Sequence, residues 1–184
     1  MAVPPDLDLY ITNCYIERRI MLFSQSVRTF FVTSNAYQHR SMLQSERMAG
    51  LLLDVLFDNR QKKRLLLHEF VIMPNHLHLL LTPAFEIALE KVMQFIKGGF
   101  SFRAGKELQV KFEIWQAGFT NHRIHDAADY GQHRTYIHEN PVKARLVERA
   151  ELFPYSSAFP GMVLDAAPPG LKPNVSGEAY FAAP

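Results

Sequence analysis

The stretch "FVIMPNHLHLLL", Phe70–Leu81, sets His76 and His78 one residue apart inside an otherwise apolar run. On a strand, residues i and i+2 project from the same face. The two Cα atoms would then lie about 6.5–7 Å apart, and both imidazoles could reach one metal ion. Leu77, Leu79 and Leu81 would take the opposite face. Two readings are open at this point. The pair is either two satisfied interior histidines or two ligands of one ion, and an ion needs at least a third protein ligand that the periodicity does not supply.

The other segment with chemical content is "HRTYIHENPVKARLV", residues 133–147. In a helix, Tyr136 and Asn140 are about 40° apart in rotation and one turn apart, so both leave the same face. A phenol, with an ordinary pKa of about 10, is a weak nucleophile at neutral pH. It becomes useful when a metal polarises the electrophile and holds it in line for attack. An amide oxygen such as that of Asn140 is a hard ligand suited to Mg²⁺ or Mn²⁺ beside two imidazoles. The spacing fits equally a core tyrosine in an amphipathic helix. His122, His125, His133 and His138 are near enough in sequence to relay a proton or to be ordinary surface residues.

The elements that must carry these residues can be read from patterning. "RTFFVTSNA" (28–36) is aromatic and β-branched and reads as a strand. Residues 45–63 have Met48, Leu51, Leu52, Val55 and Leu56 at helical spacing, with Ser45 as N-cap. Residues 64–73 and 76–82 read as two interior strands of a hairpin turned by Pro74-Asn75. A second helix, 85–108, presents Leu89, Val92, Met93 and Ile96 on one face, and its Gly98-Gly99 pair predicts a kink or break. Residues 111–116 and 119–125 supply a short fourth strand and its approach. Asp126 caps a third helix, 127–139, which Pro141 should end or bend. The order β-α-β-β-α-β-α gives an α+β class: a ferredoxin-like, split βαβ antiparallel sheet with helices packed on it.

Composition sets limits. At 184 residues, 48% hydrophobic and 21% charged, the chain has enough material for one globular core. The net charge of +2 neither demands nor excludes nucleic acid. One cysteine rules out an intrachain disulfide and a cysteine-rich zinc site. No apolar run reaches the roughly 18 residues of a membrane span, and "MAVPPDLDLY" does not read as a signal peptide. The expectation is a cytoplasmic protein with an irregular arm (1–27), a domain (28–157) and a loosely held Ala/Pro/Gly-rich tail (158–184).

Taken together, "MPNHLHLLL", "EIWQAGFTNHRIHDAADY" and "YIHENPVKA" resemble, in order, the HUH motif, the Trp-Gln segment and the nucleophile helix of single-tyrosine transposases. The combination is most similar to the bacterial REP-associated tyrosine transposases, over about Arg28 to Ser157. The resemblance implies that His76 and His78 are metal ligands, Tyr136 the nucleophile and Asn140 the third ligand. It implies an HUH-type ferredoxin-like fold and a nucleoid-associated transposase that cleaves and rejoins single-stranded DNA beside hairpins of palindromic repeats. The link would be a 5′-phosphotyrosine, the cofactor Mg²⁺ or Mn²⁺, and the protein a monomer or homodimer. One departure stands out: many relatives have glycine after "VKA", where this chain has Arg145.

A DNA partner needs phosphate contacts. Arg60, Lys62 and Lys63 (with Arg64), then Lys97 and Arg103 (with Lys106 and Lys111), then Arg123, Arg134 and Lys143 (with Arg145) form basic clusters. If they bind DNA they should share one face with the histidines. Phe100 and Phe102 are candidates to stack on bases, whereas Trp115 suits the core. Two other functions compete with transposition. A replication or transfer nickase of the HUH type would need a helicase or larger recognition domain. A non-catalytic nucleic-acid-binding module would have no use for the histidine pair and the tyrosine.

Overall fold

The computed structural model describes residues 28–168 and Leu171. The expected arm and residues 169–170 and 172–184 of the expected tail lie outside them. The elements run β1 (Phe30–Asn35), α1 (Glu46–Gln61), β2 (Leu65–Met73), β3 (His76–Pro83), α2 (Leu89–Glu107), β4 (Thr120–Arg123) and α3 (Ala127–Lys143), with one-turn 3₁₀ segments at Tyr37–His39 and Ala150–Leu152. The four strands form one antiparallel sheet in the order β2-β3-β1-β4, the split βαβ arrangement expected.

The leucine-rich strands organise two cores. Leu77, Leu79 and Leu81 of β3 face α1 and α2, in a cluster with Val32, Leu52, Leu56, Val92, Ile96 and Phe100. Burying each such side chain contributes roughly 1.5–3 kcal/mol. On the opposite face Leu80 joins Val71, Met73, Ile124, Tyr130 and Ile137 beneath α3. The sheet is therefore a middle layer, with β3 buried on both sides.

Strand β2 changes phase to serve both cores. Leu67 opposes Leu81 and Glu69 opposes Leu80, so His68 is the extra residue of a β-bulge. Leu65 and Leu67 face α1 and α2 before the bulge, and Phe70 and Ile72 after it. As a result Glu69, Val71 and Met73 all turn toward α3.

Caps and turns follow sequence chemistry. Ser45 Oγ accepts from the Met48 amide and Asp126 Oδ1 from the Asp129 amide. Pro74-Asn75 makes the hairpin turn. Three expectations need correction. The Gly98-Gly99 pair does not break α2, which is continuous; Gly99 instead lies where α1 and α2 meet, with Val55 Cγ1 3.8 Å from the position a Cβ would occupy. Pro141 does not end α3, which continues to Lys143. Its missing N–H and ring act only in the last turn, and Asn140 keeps its helical relation to Tyr136. The fourth strand comes from the second of its two candidate segments; residues 111–116 supply a single bridge, Trp115 to Ala36.

The chain after Ser156 is fastened for some distance. The Ile72 amide donates to the Tyr155 carbonyl, the Ser157 amide to Phe70, and the Asp165 amide to Leu67, which covers the free edge of β2. The Asp165 carboxylate takes the Leu67 amide and both arms of Arg60. The backbone is thus held against the sheet as far as Asp165. Among the described residues no helix is long and apolar enough to cross a membrane.

Candidate active site

His76 and His78 sit on central strand β3, on the α3 side of the sheet, paired across β1 with Asn35 and Thr33 and across β2 with Met73 and Val71. Their ring centroids are 4.6 Å apart. His76 Nδ1 is 2.7 Å from Asn75 Oδ1, an oxygen that can only accept, so Nδ1 carries the proton and Nε2 the lone pair. His78 Nδ1 is 2.8 Å from the Thr33 hydroxyl. Its Nε2 is buried and has no hydrogen-bond partner among the described residues. In the tautomer whose Nδ1–H donates to Thr33, that nitrogen is a bare lone pair. A buried acceptor without a donor is costly, and a metal ion would satisfy it.

Electrostatics agree with a ligand role. Burial, with a smaller push from His76, takes the His78 pKa down to about 3. Burial also lowers the His76 pKa, helped by His39 and opposed by a hydrogen bond with the Asn140 side chain that favours the protonated ring. Both rings are neutral at physiological pH, the form that binds metals.

Helix α3 brings the other two residues. Ile137, fully buried, is its keel against the sheet. On one flank Tyr136 and Asn140 face the histidines: the Tyr136 ring is 5.1 Å from that of His78, and Asn140 reaches His76. Tyr136 is 42% exposed, so a substrate can reach its hydroxyl. On the other flank Glu69 holds the helix, with Oε2 2.8 Å from His138 Nε2 and Oε1 2.9 Å from Arg134 Nε. Burial pushes the Glu69 carboxyl up, but hydrogen bonds from His138 and Ser157 and the charges of His138 and Arg134 outweigh it, so its pKa lies below the ordinary value. A cleft of about 720 Å³ opens beside Tyr136, lined also by Phe31, Gln132, His133, Arg134 and Lys143. Two neutral imidazoles, one with an orphaned nitrogen, and an amide within reach fit a divalent ion.

A family model described as "Transposase IS200 like" matches residues 24–140, a span that holds His76, His78, Tyr136 and Asn140. The chain belongs to this family. It is 28% identical over 130 residues to the REP-associated tyrosine transposase of Escherichia coli (strain K12), covering 70% of this chain and 75% of that one. A solved structure described as a REP-associated tyrosine transposase bound to a REP hairpin shares the fold, with a TM-score of 0.61 at 23% identity over 85% of this chain and 94% of that one. Membership gives a transposase-type function, that of an enzyme acting on DNA.

In this IS200-like transposase the basic residues divide between two layers. Arg134 and Lys143 line the cleft, and Arg123 ends β4 with no ion-pair partner among the described residues. Arg60, Lys62, Lys63 and Arg103 belong to α1, its exit and α2, on the far side of the sheet from the histidines. Arg60 is bidentate with Asp165, and Arg103 faces Glu107, Asp54 and Asp58. Lys97 donates to the carbonyls of Gln116 and Gly118. Phe100 is fully buried with its ring edge to Trp115 and cannot stack on a base, whereas Phe102 is exposed.

Sequence reasoning missed Thr33, Asn75, Glu69 and Phe31 as supports of the site. Asn75 was legible only as a turn residue. Thr33 gave no signal, because its role depends on standing directly opposite His78 across the sheet. Glu69 inside an apolar run was a usable signal: a carboxylate there needs a cationic partner.

Proposed function

We propose that this transposase cleaves and rejoins single-stranded DNA at hairpin or palindromic repeats through a 5′-phosphotyrosine at Tyr136. His76, His78 and Asn140 would hold a divalent ion, Mg²⁺ or Mn²⁺. The observation that carries this reading is the orphaned Nε2 of buried His78 beside both His76 and the accessible Tyr136 ring.

The chemistry follows from what these side chains can do. The Tyr136 oxygen attacks the phosphorus of a phosphodiester seated in the cleft. The new O–P bond forms as the P–O3′ bond breaks; the phenol proton is released and the departing 3′ oxygen takes one up. A bound divalent ion supplies polarisation of a non-bridging phosphate oxygen. The phosphotyrosine retains the energy of the broken ester, so the 3′-hydroxyl of another strand can attack it, restore the phenol and join DNA without ATP. Arg134 and Lys143, on the cleft wall, would meet flanking phosphates, with Arg123 at the end of β4. Phe31 packs against both His78 and Tyr136 and keeps the nucleophile beside the ligands.

The test is a labelled hairpin-bearing single strand incubated with protein and Mn²⁺. A covalent adduct that disappears in Tyr136→Phe is expected. An adduct that persists in that variant overturns the nucleophile assignment, and binding without cleavage of any hairpin substrate favours a DNA-binding role alone.

A further inference from the structure

A second histidine cluster adjoins the site above, sharing His133 with the wall of its cleft. His122 comes from β4, and Asp129 and His133 come from the first two turns of α3. His122 Nε2 lies 3.0 and 2.9 Å from the two Asp129 carboxylate oxygens, and His133 Nδ1 lies 3.0 Å from one of them. The two imidazoles stack with centroids 4.8 Å apart and planes at 19°.

The Asp129 carboxylate also accepts from the His125 amide at 3.0 Å, and the two histidine contacts compete for the same oxygens. A proton on His122 Nε2 is shared between two oxygens almost equally distant. His133 Nδ1 carries one proton at most, yet it faces both the Asp129 carboxylate and, at 2.9 Å, the Asp129 main-chain oxygen. One cation would replace these competing contacts. The three ligand atoms lie within 4.8 Å of one another; tetrahedral bonds of about 2.1 Å place ligand atoms roughly 3.4 Å apart, so small side-chain rotations would seat an ion among them. Burial pushes the Asp129 carboxyl up, but the His125 amide and His122 outweigh it and keep it ionised.

We propose that His122, Asp129 and His133 form a second metal site, for a borderline divalent ion of the Zn²⁺ type. Two imidazoles and one carboxylate suit that class, with the remaining position open to solvent because His122 is about half exposed. The ion would join β4 to the start of α3. His133 packs on Phe31 at 4.5 Å, and Phe31 on His78 at 5.2 Å, so the second ion would also steady the cleft wall. This site does not depend on strand cleavage, and it is measured without DNA.

The full chain is loaded with Zn²⁺, dialysed and assayed for bound metal and for melting temperature. Two equivalents are expected in the wild type. The His76→Ala/His78→Ala variant should keep one and still melt higher with Zn²⁺ than without. Adding His122→Gln and Asp129→Asn to it should remove both the zinc and the zinc-dependent rise. A His76→Ala/His78→Ala protein that melts cooperatively but holds no zinc overturns the second site, as does zinc retained undiminished after His122 and Asp129 are replaced. Should that background fail to fold, His122→Gln alone decides: a fall of one equivalent supports the site and no fall overturns it. One equivalent shared by the wild type and His76→Ala/His78→Ala, and abolished by His122→Gln, supports the second site while counting against the first.

Discussion

Two single residues set the quality of the site and of the helix that carries it. Thr33 holds the His78 ring through a 2.8 Å hydrogen bond at Nδ1, which under the proposed function would aim the other ring nitrogen at a bound ion. Thr33→Val keeps the shape of the β-branched side chain and removes the acceptor. Mn²⁺ affinity should then fall about 10–100-fold, the usual cost of losing such a partner, with the far-ultraviolet spectrum unchanged; unchanged affinity in a calorimetric titration would show that Thr33 does not orient the ring. Arg145, the departure from the family pattern, sits at φ 57°. Its amide donates to Val142 and that of Leu146 to Pro141, the paired bonds of a helix end that glycine makes most easily. The motif forms with arginine but at a backbone cost. Arg145→Gly should stabilise the fold by about 1 kcal/mol in urea melts, since the left-handed penalty exceeds the entropy glycine adds; a destabilised variant would mean the arginine side chain contributes more than its backbone costs.

At the scale of elements, the bulge in β2 and the register of α3 act together. The extra residue at His68 turns Glu69 toward α3, and Glu69 grips Arg134 and His138 on the flank opposite Tyr136. Glu69→Gln keeps the volume and loses the charge. We expect a loss of about 1–2 kcal/mol, kept modest because Arg134 is more than half exposed. We also expect slower adduct formation with hairpin binding retained. Loss of binding and cleavage in equal proportion would argue against a positioning role. Patterning made most of these elements legible: alternation placed His76 and His78 on the face opposite Leu77, Leu79 and Leu81, and Ser45 and Asp126 marked two helix starts. What escaped was decided by contacts between elements. The glycine pair reads as a break until α1 is packed beside it. Pro141 reads as a stop until the last turn of α3 is seen to tolerate it. The bulge is invisible in one strand, because it exists only relative to β3. Of the site, spacing gave the histidine pair and the Tyr136–Asn140 pair, while their convergence came from the resemblance and from α3 lying across β3.

For the whole molecule, the two-layer burial makes predictions about pH and about salt. His78, His76 and His68 are held neutral by burial, with pKa values below the ordinary 6.5. The unfolded chain takes up protons near pH 6.5 that the folded one refuses. Stability is therefore complete above that pH and declines as pH falls below about 6.5, by up to about 1.4 kcal/mol per unit for each histidine, the His78 contribution continuing down to about pH 3. Glu69, Asp129 and Asp165, with depressed values, lose their contributions only below about the ordinary carboxylate range. Metal-free urea melts should thus weaken between about pH 6.5 and 4.5, and a flat profile there would mean these rings titrate freely in the native state. Salt separates the two faces of the sheet. Under the proposed function a strand running through the cleft would meet Lys143 and, at the end of β4, Arg123; the α1 lysines lie on the other side of the sheet. Each phosphate contact removed should reduce the slope of log affinity against log salt by about 0.7 for single-stranded DNA. Replacing Arg123 and Lys143 by alanine should lower that slope, whereas replacing Lys62 and Lys63 should leave it unchanged. The reverse result in a fluorescence-anisotropy salt series would move the DNA path to the α1–α2 face, where it could not reach Tyr136.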